Sequence, residues 1–406
     1  MSRSNSRASG ARSLMLIFFA INAVLSTGAC FVHPVTPRLL MELEMPDYMF
    51  GVLNACTNLM VFLLSPMVGK LNSVFSSKNV LAVGCFGYSL SQLWFCNATT
   101  ELTLILARLC AGCMYVTVQV CALTYVVNTS AEGERSGNLS VRAAIQSAST
   151  AFGYFIGGLL GELALRYAFY AQIAVMSIGG LLAFLLLKRD AAPGGMPLGT
   201  LLKQANPFAV FRQCGSFLDR RMVILFLALT FSNLAASIFD QSFNYYIANV
   251  FRLGSSWNGT LRAITGVTGL VMNSTLCLWI VKKTDVKRSL TIVMGVGCGV
   301  MLAMILIGAQ IPLMALDIML KTVVAIKLPL VQGIVADSAD SSNSNLVMGF
   351  YNSVNAFGLA LGSLIAGFAY NIFPKLAFIV GLCIYLPAVA GIVLYRRELA
   401  RPQADK

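Results

Sequence analysis

Charge is scarce in this sequence. Only 11% of its 406 residues are Asp, Glu, Lys or Arg, against 57% hydrophobic, and the mean hydropathy is +0.77. Soluble domains carry about a quarter charged residues, so a soluble fold of two or three domains is excluded. Histidine is nearly absent. With His33 alone and no second pair to complete Cys110-x-x-Cys113, a metal or redox centre has no ligand set. The eleven cysteines lie mostly in apolar runs, where a small buried thiol is the default. A GxxxxGK[ST] phosphate loop is missing, which excludes ATP hydrolysis by this chain. No His, Cys or carboxylate cluster has catalytic spacing, so the chain does not read as an enzyme, and no cofactor is expected. Acidic residues number 16 against 29 basic ones, a formal charge of +13. No basic segment is interleaved with aromatics, so nucleic acid is not an expected partner.

What is present is apolar sequence in long runs. About 20 apolar residues cross the hydrocarbon of a bilayer, and twelve such runs can be drawn: 13–33, 47–69, 79–97, 102–127, 140–164, 167–187, 222–250, 258–281, 288–309, 313–336, 346–371 and 376–395. The first is of full length with Gly28-Ala29-Cys30 inside it, and so reads as a span rather than a cleavable signal. Cytoplasmic loops retain Lys and Arg. With both termini inside, only Arg38, Arg166, Arg252, Arg262 and Lys375 fall outside, while Arg108, Lys321 and Lys327 fall within spans. The positive charge is thus a signature of orientation. Asn97-Ala-Thr and Asn258-Gly-Thr are sequons on expected outer loops.

The chain also repeats itself. Residues 151–161 read AFGYFIGGLLG and residues 356–366 read AFGLALGSLIA, 205 positions apart; Val127–Ala131 and Val335–Ala339 echo each other near the same offset. Such a repeat indicates a duplicated helical bundle. The expected architecture is an all-α integral membrane protein of twelve transmembrane helices. They form two pseudo-symmetric six-helix halves, 1–187 and 222–406, joined by a hydrophilic cytoplasmic loop over 188–221, with both termini cytoplasmic. Leu201–Phe217 in that loop is mixed apolar and basic, and suits either a helix on the inner membrane surface or a plain tether. In the repeated stretch Gly153, Gly157, Gly158 and Gly161, with Gly358 and Gly362 in the second copy, present glycines four apart on one helical face, which lets helices pack tightly.

Polar residues inside apolar runs are the candidate site. Asn22, Ser26 and Thr27 lie in the first span, which bends or ends at His33-Pro-Val-Thr-Pro37. Arg108 lies about 9 Å below the outer boundary if its span starts near Leu102; it either snorkels or requires a partner or wet cavity. Gly112 follows one turn later. Glu162 reads as a surface residue. Asp240, Gln241 and Asn244, with Phe243, Tyr245 and Tyr246, form either an aromatic belt or a polar site. Asp317 and Lys321 are four apart and share a helical face, whereas Lys327 has no local acidic neighbour. Arg108, Lys321 and Lys327 outweigh Asp240 and Asp317, which favours an organic anion or polar metabolite as the ligand.

Three motifs carry a resemblance. Gly69 to Lys78 is similar to the loop signature GxLaDrxGrk, with Gly69, Leu71 and Lys78 in place and Ser73 where the aspartate is expected. Arg108 and Gly112 match RxxxG of a fourth helix. Gly153-Tyr-Phe-Ile-Gly-Gly158 matches GPxxGG of a fifth helix, with Tyr154 for proline. These residues resemble the major facilitator superfamily, and within it the twelve-helix drug:proton antiporter branch, over essentially the whole chain. Phe239-Asp-Gln-Ser-Phe is more faintly similar to sugar:proton symporters. The resemblance implies a secondary transporter working by alternating access, with Arg108 linked to proton coupling. The expected activity is proton-coupled efflux of a small organic molecule by a monomer in the bacterial inner or plasma membrane. Its expected partners are substrate, protons and lipid bilayer. Proton-coupled uptake of an organic anion, sugar or other metabolite, and a non-transporting ligand sensor with a transporter fold, are the alternatives.

Overall fold

The computed structural model describes residues 2–130, 135–190, 218–337 and 344–400. Within them the chain is helical, with no strand among the described residues. The first helices are α1 (Ser2–Gly28), α2 (Thr36–Glu42), α3 (Met49–Val74), α4 (Ser77–Asn97), α5 (Glu101–Thr129), α6 (Arg135–Leu163) and α7 (Leu165–Leu186). They are followed by α8 (Arg220–Asn249), α9 (Ser255–Met272), α10 (Leu278–Lys283), α11 (Val286–Leu306), α12 (Gln310–Asp337), α13 (Ser344–Ile372) and α14 (Pro374–Ala400). Among the described residues, eight helical stretches are long and apolar enough to cross a membrane, and Ser13–Gly28 and Met49–Ser65 are shorter apolar ones. Most of the central loop, with Leu201–Phe217, lies outside the described residues, as do the last two residues of the second echo at Val335–Ala339.

Local chemistry sets the helix ends. Pro34 and Pro37 end α1 and restart the chain as the short α2, because proline cannot continue the backbone ladder. Thr100 and Thr103 cap α5 reciprocally, satisfying amides that have no partner within the helix. Asp219 accepts from Met222 N at 2.7 Å at the start of α8, and Asp285 does the same for Lys287 at the start of α11. One feature has no warning in the apolar pattern: α9 runs into a π-helical turn over Asn273–Cys277 before α10. Such a turn inserts an extra residue into the ladder and rotates the faces that follow.

The contacts divide the chain into two compact units. The first contains Met1–Leu39, Leu59–Val210 and Gly254–Ala263; the second contains Leu40–Asn58, Phe211–Leu253 and Ile264–Lys406. In the first, Phe18 of α1 stacks on Tyr125 of α5 at 5.0 Å, within an apolar core that also holds Cys85, Val116 and Met176. In the second, Phe239 of α8 packs on Phe378 of α14 at 5.3 Å, and α8 lies against both α13 and α14.

Glycine faces bring the helices of each unit together. In the first, a Cβ on Gly153 would strike the Thr27 carbonyl, and one on Gly157 would strike Phe31, so α6 and α1 approach backbone to backbone. On the neighbouring face, Gly158 meets Ser255 and Gly259, which belong to the same unit. In the second, Gly358 and Gly362 of α13 lie against Thr230 and Leu234 of α8. Equivalent glycines of the two copies therefore serve equivalent close approaches, as small residues do where helices cross tightly.

Candidate functional site

In the second unit the polar residues of α8 and α12 form an ion cluster. Asp317 and Lys321, one turn apart, pair at 2.8 Å, and the same ammonium lies 3.5 Å from Asp240 of α8. The side chain of Asp317 is 2% exposed, that of Lys321 16% and that of Asp240 28%. Phe243 lies under the ammonium at 5.6 Å, and Gln241 donates to Asp240 at 3.5 Å. One lysine thus bridges two carboxylates on two helices, in a setting dry enough for the charges to feel each other strongly. Asn244 lies one turn further along α8, half-buried.

Two expected members of this group are engaged elsewhere. Buried Lys327 donates to Ser232 Oγ at 2.7 Å and Asn233 Oδ1 at 3.4 Å; these neutral oxygens of α8 are what its sequence neighbourhood lacked. Tyr245 donates to Asp47 Oδ1 at 2.8 Å. It stacks on Phe50 at 4.6 Å and meets the edge of Tyr370 at 5.2 Å. Five residues separate Tyr245 from Asp240, which at 100° per residue turns them to different faces of α8.

In the first unit, Arg108 and Arg142 are buried cations. Arg108 is 6% exposed and donates to Thr36 Oγ1 at 3.2 Å. Its guanidinium covers the Phe95 ring at 4.0 Å, so it turns inward rather than snorkelling. Gly112 is buried one turn away. Nearby, α1, α5 and α6 enclose a small cavity of about 30 Å³. Its polar lining is Asn22, Ser26, Tyr115, Gln119, Arg142 and Gln146, with Cys30 and Thr150 at its edge. Gln146 donates to Gln119 at 3.2 Å, and Gln119 to Tyr115 at 2.6 Å. Asn22 and Arg142 are both more than nine-tenths buried.

The loop motif has a partner far along the chain. Lys78 donates to the carbonyls of Phe184 and Leu187, both at 2.9 Å, a basic group meeting a helix C-terminus as the dipole favours. Asp190 accepts from Ser77 N at 2.8 Å, Ser76 Oγ at 2.7 Å and Asn128 Nδ2 at 3.1 Å. Burial works to raise the Asp190 carboxyl, but the hydrogen bonds from Ser77, Ser76 and Asn128 together outweigh it and hold the group below the usual carboxylate range. Leu71 is half-buried, and Gly69 is exposed with open space around it. Glu162 accepts from Ser256 N and Oγ, both at 3.0 Å, and lies 4.0 Å from Arg38; its place at the N-terminus of α9 is a capping role.

Residues 14–326 match the family described as Major Facilitator Superfamily. The chain belongs to the Major Facilitator Superfamily; it is a multi-pass membrane transporter and not an enzyme. It is 23% identical over 377 residues to the tetracycline resistance protein, class C, of Escherichia coli, covering 90% of this chain and 93% of that one. It is also 24% identical over 404 residues to hippocampus abundant transcript-like protein 1 of Bos taurus, covering 91% of this chain and 76% of that one. Among solved structures, the nucleoside transporter NupG superposes with a TM-score of 0.75 at 14% identity over 94% of this chain and 99% of its own. A bacterial homologue of the human lysosomal transporter Spinster gives 0.74 at 13% identity over 97% and 99%. These structural likenesses establish the fold.

Sequence reasoning overlooked Arg142, Tyr115, Gln119, Gln146, Asp47 and Asp190 as site residues. A signal existed for some of them. Arg142, Gln146 and Thr150 recur every fourth residue along α6, as do Asn22 and Ser26 along α1, and that spacing places each set on one face.

Proposed function

We propose that the chain is a proton-coupled secondary transporter that expels a small organic molecule. It would work by alternating access between two six-helix halves, 1–187 and 222–406, joined by the loop over 188–221. Both termini are cytoplasmic in this reading, and the protein acts as a monomer in the bacterial inner or plasma membrane. Family membership supports transport, and the likeness to a tetracycline resistance protein supports a small organic molecule as substrate.

The single observation that carries the coupling is Lys321 bridging Asp317 and Asp240. A proton taken up by one carboxylate removes its attraction for the ammonium, which then commits to the other. Because the two acids stand on different helices, each protonation state favours a different pairing of α8 and α12. Arg108, Lys327, Gln241, Asn244, Tyr245 and Asn22 are assigned to substrate binding or coupling, and the glycines at 112, 153, 157, 158, 358 and 362, with Gly69, Leu71 and Lys78, to conformational change.

The test is transport in proteoliposomes with an imposed pH gradient. Asp240→Asn is expected to abolish gradient-driven movement while leaving substrate exchange; undiminished gradient dependence removes Asp240 from the role. Movement of substrate together with protons, rather than against them, establishes uptake in place of efflux.

A further inference from the structure

The cavity of the first unit poses a problem of charge. Arg142 cannot lose its proton under any ordinary condition, its side chain is among the buried ones, and no acidic residue is among the described residues that line the cavity. Among the described residues its Nε has no hydrogen-bond partner, and neither does Nδ2 of Asn22 on the opposing helix. Both are donors. Tyr115 accepts from Gln119, which in turn accepts from Gln146, and this chain leaves the phenolic O–H as a third donor. A buried cation without an anion is costly, and two buried donors left unsatisfied add to that cost. Such a lining repels cations and has vacant capacity for acceptor oxygens.

We infer that this cavity binds the carboxylate end of an organic anion, with Arg142 as its charge partner and Asn22 and Tyr115 as neutral donors. The volume of about 30 Å³ is the space of one or two water molecules, which suits a carboxylate and not a ring, so the body of the ligand extends beyond the mouth. Charge-assisted bonds from a guanidinium to a carboxylate are the strong kind. The inference rests on the transporter reading above and narrows its substrate to acids, recognised by residues 22, 115 and 142 rather than by Arg108, Lys321 or Lys327.

The experiment uses the purified full chain in lipid nanodiscs at fixed chloride, with benzoate and its neutral analogue benzamide as probes, and titration calorimetry as readout. Benzoate is expected to bind at least about tenfold tighter than benzamide, Arg142→Gln to erase that preference, and Asn22→Leu to weaken benzoate several-fold. If Arg142→Gln does not fold, Arg142→Lys replaces it, with about a tenfold loss expected because the guanidinium fork is gone. An inorganic phosphate arm separates a carboxylate site from a general anion site: displacement of benzoate by equimolar phosphate overturns the carboxylate assignment. Absence of benzoate binding, equal binding of the two probes, or an unchanged preference in the folded Arg142 variant also overturns it. Proteoliposome transport keeps the two readings apart. Arg142-dependent binding with no transport by wild type leaves the site and removes the transporter, whereas gradient-driven transport with unchanged acid preference in Arg142→Gln does the reverse.

Discussion

Buried cations keep different company across the two units, although Lys327 of the second also rests on neutral oxygens. In the first, Arg108 is held by a threonine hydroxyl and an aromatic face, and Arg142 by a cavity without acids. In the second, Lys321 lies between two aspartates. Yet the units close their helix pairs alike, with glycines of the duplicated stretch against the backbone of α1 in one and α8 in the other. The two copies of the stretch share a packing chemistry, while the charge chemistry around them differs. Carboxylates stand beside the ammonium of Lys321, and the proposed anion site lies where the described lining has none.

The largest effect that would sharpen this contrast is expected at Asp317. Asp317→Leu leaves a buried ammonium with one carboxylate fewer and should cost about 3–5 kcal/mol, read as a collapse of thermal stability in detergent. Combining it with Lys321→Met should restore most of the loss, since the uncompensated charge is then removed as well. Next come the glycine faces. Gly157→Val and Gly362→Val force apart helices whose backbones touch, at about 3 kcal/mol each. Similar losses in both would support a shared packing plan, and a loss in one alone would break it. Arg108→Lys keeps the charge but forfeits the stacked plane over Phe95, for about 1–2 kcal/mol, with the larger part of the deficit appearing in transport.

A smaller effect concerns pH. Asp190 has its folded pKa lowered by hydrogen bonds, so it stabilises the fold above the ordinary aspartate value near 4. That contribution is lost as pH falls through the lowered value. Asp190→Asn should therefore be about 1 kcal/mol less stable at neutral pH, with the difference from wild type fading only in strong acid. A difference that instead grows on acidification would contradict the assignment. Gly69→Ala, with nothing near it, is expected within about 0.5 kcal/mol of wild type.

Much of this was legible in the residues themselves. Helices occur where the apolar runs stand, because a bilayer forces the backbone to satisfy itself within each segment. The Asp317–Lys321 pair follows from helical spacing alone. What the sequence could not disclose depends on distant partners. Lys327 has no acid near it in sequence because its partners, Ser232 and Asn233, stand on another helix. Tyr245 seemed part of the Asp240 group until Asp47 and Phe50 drew it to another face. Arg142 lies near the start of its apolar run, as a flanking basic residue does, and the three-helix cavity marks it as interior. The π turn at Asn273–Cys277 leaves no trace in composition.

The junction of Lys78 and Asp190 also bears on how the protein is made. Lys78 bonds to carbonyls 106 and 109 residues later, and Ser76 and Ser77 to a carboxylate 114 and 113 residues later. On the ribosome, the start of α4 emerges long before any of these partners has been translated. Until α7 is made, that turn must keep its amide and ammonium satisfied by water and lipid headgroups. Arrival of residues 184–190 is therefore the moment at which this junction can lock, and a chain truncated just before them should be the species most exposed to quality-control proteolysis.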